Sequence, residues 1–167
     1  MKPDFFILAP ALLLAASCSS EPEVPPQGTV QQLMAQDVQP TAEVYWNSVG
    51  AASELVDGEP VFREWQPETD AEWAEVRTAT QHLQELGELL QTPAYADGRG
   101  DNWMAYARGL VDAAKAAEQT VEDRDTDAIL NDTGYTLYRV CDACHRAYPP
   151  EELAAEGATV DDVSTAQ

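Results

Sequence analysis

The stretch that decides the reading runs from Thr126 to Tyr148, TDAILNDTGYTLYRVCDACHRAY, and is stopped by Pro149 and Pro150. Ile129, Thr133, Leu137, Val140, Cys144 and Tyr148 recur at spacings of three and four, which puts them on one helical face. Two prolines end the helix because proline has no N–H to donate and crowds the preceding turn. On such a helix Cys141 and Cys144 project from one side. Both thiols then suit thioether bonds to two vinyl groups on a haem edge, and His145 follows as an imidazole for the iron. This Cys-x-x-Cys-His spacing is the signature of covalent c-type haem attachment. The expectation is one haem c, with its iron, per chain, bound through Cys141, Cys144 and His145.

Other chemistries for the same residues lack partners. A structural zinc needs four ligands, and the only other histidine is His82. A thioredoxin-like Cys-x-x-Cys opens a helix after a strand, whereas this pair comes late in its helix. A disulfide between the two would sit awkwardly inside helical backbone. Neither a nucleophile with its base nor a Gly-rich phosphate loop stands out, so no enzyme activity is expected.

Working back along the chain, three more helical segments are predicted. Asp101 is positioned to cap a helix in which Trp103, Ala107, Leu110, Ala114, Ala117 and Val121 alternate spacings of four and three. Thr69-Asp70-Ala71-Glu72 fits a capping box, followed by the stripe Trp73, Val76, Ala79, Leu83, Leu86 and Leu90. The first segment spans residues 29–49, with Val30, Met34, Val38, Thr41, Tyr45 and Ser48 on one face and a kink expected near Gln39 from Pro40. Residues 56–67 read as a loop punctuated by Asp57-Gly58 and two prolines. No period of two is read anywhere. The fold class expected is therefore all-α, an antiparallel four-helix bundle over residues 28–150 with covalently bound haem.

The N-terminus reads as an export signal. Lys2 precedes an apolar run from Phe5 to Ala16 that is shorter than the about 20 residues a membrane-spanning helix needs. Ala15-Ala16-Ser17-Cys18 resembles the lipobox of bacterial lipoproteins. That resemblance implies a signal peptide over residues 1–17, lipidation of Cys18, and a product on the periplasmic side of the envelope. Residues 18–27, rich in proline and acids, form a tether, and residues 151–167 an acidic tail with one helical turn at residues 151–155. Nine basic against thirty acidic residues, a net charge of -21, exclude nucleic acid as a partner and leave a lipid anchor as the only membrane contact. The plainer reading of the same charge is solubility and low non-specific association; the functional one is steering toward a basic redox partner protein.

Cys141, Cys144, His145 and Tyr148 near the end of a helical chain resemble cytochrome c-prime and its low-spin relatives. The likeness extends to Gln32-Leu33-Met34 and to residues 40–46, PTAEVYW, and covers about residues 28–150. Pro149 stands where that family has a basic residue. The resemblance implies an exported electron carrier or, in the high-spin members, a five-coordinate haem that binds NO or CO. It puts Met34 at the second axial position as a metal ligand, against the plainer reading of a core methionine. His82 is an alternative ligand but lies at the flank of its stripe, and Met104 reads as core or boundary. Trp46, Trp73, Trp103, Tyr45 and Tyr148 are candidates to pack against haem or simply fill the core, and Arg139 and Arg146 to pair with propionates. Members of the family pair through their first two helices, which leaves a homodimer open.

Overall fold

The computed structural model describes residues 28–150; the signal segment, Cys18, the tether and the acidic tail lie outside the described residues. The first helical stretch begins as α1 (Val30–Leu33), behind a capping box that Thr29 and Gln32 form. It widens into a π-helical turn, Met34–Val38, and continues as α2 (Gln39–Trp46). In the π-turn the N–H of Gln39 donates to the carbonyl of Met34, five residues back. The expected kink at Pro40 takes this form because the widened turn immediately precedes the proline, whose ring would crowd an ordinary α-turn.

The expectation of an all-α four-helix bundle is overturned at the next segment. Gly50–Val56 and Glu59–Trp65 are strands β1 and β2, paired antiparallel from Gly50 opposite Trp65 to Val56 opposite Glu59. The reason lies in Asp57-Gly58, read from sequence as loop punctuation. Both residues have positive φ, 54° and 86°, the backbone of a two-residue turn whose twist matches that of paired strands. The strand periodicity is masked because nearly every hairpin residue is exposed, Leu55 and Phe62 included, so no buried face drives alternation. The base of the hairpin is pinned to the helices. Trp65 Nε1 donates to the Asn47 carbonyl at 3.0 Å, and its ring covers Gly50, where a Cβ would lie 2.1 Å from Cζ2.

Three further helical stretches complete the fold. α3 (Asp70–Leu89) starts with the predicted Thr69/Glu72 capping box. The short α4 (Pro93–Ala96) leads to α5 (Asp101–Glu122), whose cap residue is Gly100, with Asp101 one position inside the helix. α6 (Thr126–Ala128) is capped by the Asp125 carboxylate, which accepts from the Ala128 N–H. It passes through a second π-turn, Ile129–Thr133, into α7 (Gly134–Ala147).

Side-chain bonds fix how these stretches run. Gln81 and Gln84 on α3 both donate to Glu118 on α5, while Trp103 Nε1 donates to the Leu90 carbonyl at 2.7 Å, so α3 and α5 are antiparallel. α7 returns along α5: Thr133 meets Thr120 at one end, and at the other Tyr148 donates to the Arg99 carbonyl. Leu33, Tyr45, Leu83, Ala114, Ala117 and Leu137 have no exposure and form the centre of the core. Tyr45 is buried without an orphan hydroxyl, because Thr133 and Thr120 lie within 2.6 and 3.1 Å of its oxygen.

Candidate functional site

α7 carries Cys141, Cys144 and His145 along the wall of a cavity of about 390 Å³. The first helical stretch contributes Met34, Val38, Ala42 and Trp46 to the same cavity, α5 contributes Trp103, Tyr106, Ala107 and Leu110, and Leu90 closes one end. The lining is apolar and aromatic apart from Gln39, Glu43 and Asp142 and the motif residues themselves. Small side chains at Ala42 and Ala107 leave room that larger residues at those helix positions would fill. Such a concave, mostly apolar space with a few polar groups is the usual form of a cofactor site.

The two cysteines are free thiols and half-buried, while His145 is exposed at the open side. Burial pushes the Cys141 thiol up from 9.0 to about 11, with Cys144 beside it adding to the effect; burial also raises Cys144. Both are therefore neutral thiols at neutral pH. Unfolding at pH 10 would ionise Cys141, which the folded chain keeps protonated, so the unfolded state binds fewer protons there. The haem-free chain is accordingly expected to lose stability as pH rises from about 9 to about 11. The raised hydroxyl of buried Tyr45 works in the same direction. Urea midpoints at pH 8 and pH 11 check this, and Cys141→Ser should shrink the difference between them.

Of the residues singled out from sequence, Cys141, Cys144, His145 and Met34 meet at one cavity, joined by Trp46 and Trp103. Met34 is half-buried and also packs against the core. His82 does not line this cavity; its Nδ1 lies 3.1 Å from Glu85 Oε2 on another face of the molecule. Met104 packs against the core without reaching the cavity. Trp73 lies under the Arg124 guanidinium, 5.7 Å from its ring centre, and Tyr45 belongs to the threonine network. Tyr148 stands behind the wall, edge-on to Trp103 at 5.2 Å and to Tyr106 at 6.3 Å.

Neither arginine expected near propionates lines the cavity. Arg146 makes two bonds to Asp142, at 2.7 and 3.1 Å, and Arg139 lies over the Tyr135 ring at 5.9 Å. Tyr106 and Tyr138 are lining residues that the sequence reading passed over. Spacing carried the signal for both. Tyr138 precedes Cys141 by three and His145 by seven, and Tyr106 follows Trp103 by three.

Among the described residues no group of three or more His, Cys, Asp or Glu side chains is arranged to hold a metal ion, and no helix is long and apolar enough to cross a membrane. Comparison of the chain with protein-family models, with curated proteins and with solved structures finds no match.

Proposed function

We propose that this chain is an exported monohaem c-type cytochrome of the cytochrome c-prime type, and that it carries electrons. One observation carries the reading: Met34 from the first helical stretch and Cys141, Cys144 and His145 from α7 line the same apolar cavity. In this reading Cys141 and Cys144 hold haem as thioethers, and His145 and Met34 supply an imidazole and a thioether to its iron. Haem bound in this way supplies one-electron redox chemistry, and a His/Met pair raises the potential. The apolar walls at Trp46, Trp103 and Leu110 keep water from most of the cofactor, and the open side, where Tyr138 is exposed, leaves an edge accessible to a partner protein. The net charge of -21 suits a basic redox partner. Periplasmic location and lipidation at Cys18 belong to the proposal through the N-terminal sequence alone.

The absorption spectrum of the reduced protein with and without carbon monoxide tests this. The expected result is a sharp, split low-spin spectrum that carbon monoxide alters slowly, and a Met34→Ala variant that responds at once. A Met34→Ala spectrum identical to that of the parent would sink the ligand assignment. The packing of Met34 against the core favours a second reading, a five-coordinate haem that binds NO or CO. An immediate carbon monoxide shift in the parent protein decides for it.

A further inference from the structure

The geometry points to the π-turn Ile129–Thr133 as the device that brings His145 into the cavity beside Cys141 and keeps Cys144 off its exposed rim, with Gly134 and Thr133 as its positioning residues. This rests on the haem reading for its purpose, though not for its geometry. A π-turn holds one residue more than an α-turn, so every residue beyond it lags by one residue's rotation, about 100°. Were residues 129–133 ordinary α-helix, each residue of α7 would advance into the angular position its successor now holds. Cys144 would move to the exposed place of His145. His145 would move to the place of Arg146, which does not line the cavity. His145 would then leave the cavity, while Cys141, in the place of Asp142, and Cys144, at the exposed rim, would still line it.

Three features hold the turn in its widened form. The Gly134 N–H donates to the Ile129 carbonyl, five residues back. A Cβ on residue 134 would lie 2.3 Å from that same carbonyl oxygen, so the turn admits only glycine at its exit. The Thr133 hydroxyl spans the turn, 3.1 Å from the Ala128 carbonyl, and lies 2.6 Å from the Tyr45 hydroxyl. Trp46 Nε1 donates to the Gly134 carbonyl at 3.0 Å. Tyr45 and Trp46 belong to α2, which continues the stretch that presents Met34. The phase of α7 is thus referenced to the helix that bears the opposing candidate ligand.

Three variants of the full chain test the device: Gly134→Ala, deletion of Asn131, and the two combined. Asn131 is exposed, and its amide bonds only Asp127. Removing it shortens the span from Ile129 to Gly134 to that of an α-turn while leaving α7 in phase, so the demand for glycine disappears. The reduced absorption spectrum is read after expression in a haem-attaching bacterial host. Alkylation of Cys144 is read on the reduced, haem-free chain. Gly134→Ala should keep covalent haem but change its reduced spectrum as His145→Ala does, and alkylate several-fold faster at Cys144, with helix content by circular dichroism retained. The deletion alone should match the parent, and in the double variant it should restore both readouts. Parent-like behaviour of Gly134→Ala, or a double variant no better than Gly134→Ala, overturns the proposal. Should Gly134→Ala fail to fold, rescue by the deletion still decides it. A parent chain that takes up no haem would overturn the functional reading instead, and Cys144 alkylation would continue to report the phase of α7.

Discussion

A full-length chain in which Cys141 and Cys144 are both serine is expected to leave a denaturing gel with no haem stain, against a strong band from the parent. Only a covalent link survives denaturation, and these two are the free thiols among the described residues. Serine keeps the size of the side chain and its place on α7, so the fold should persist. Helix content of the variant, by circular dichroism, checks that point. Single variants should keep a weaker band, because one thioether remains. His145→Ala should behave differently, retaining stain while its reduced spectrum changes, since on the proposed reading it removes a ligand and leaves both attachment points. A stained band from the double variant would place attachment elsewhere and undo the assignment. The half-burial of both cysteines in a cavity also lined by Trp103, Tyr106 and Leu110 is what makes the prediction sharp. The vinyl edge of a haem would enter an apolar space already facing the thiols.

Leu137→Ala should cost the haem-free chain about 2–5 kcal/mol of stability, the range for emptying a fully buried leucine site. Leu137 has no exposure and lies one turn before Cys141, so its removal leaves a void in the core against which α7 packs. Part of the cost is the lost transfer from water of the three removed carbons, and part is the cavity that surrounding helices cannot close. Leu130→Ala is the matched control. Leu130 is half exposed, so its loss should stay within about 0.5 kcal/mol. Urea unfolding of the two variants measures the difference. Equal midpoints would mean that α7 is not held by the core as described.

Much of the helical architecture was legible in residue spacing. The Thr69/Glu72 capping box, the stripe from Trp73 to Leu90 and the stop at Pro149 depend on contacts within a few residues, and the structure contains each. The hairpin was not read, because both of its faces are wet and Asp57-Gly58 serves a loop as readily as a two-residue turn. A hairpin is recognised by alternation only when one face is buried. The cap of α5 was misplaced by one residue: an acid near a helix start satisfies the same pattern whether at the cap or just inside it.

Met34 apart, which only the family resemblance singled out, the sequence alone determined the chemistry at hand: two thiols three apart, an adjacent imidazole and a strongly acidic composition. These are properties of residue identity and short spacing. The tertiary structure decided which of them share a space. It brought Met34 to the cavity and kept His82 and Met104 away from it, and it engaged Arg146 with Asp142 rather than with the cavity. It also introduced two π-turns, each of which shifts the helical phase of everything that follows. No stripe counted at a uniform 3.6 residues per turn carries that shift. A π-turn persists only where its exit residue, its hydroxyl bridge and a neighbouring helix agree, and that agreement is made by packing across the chain.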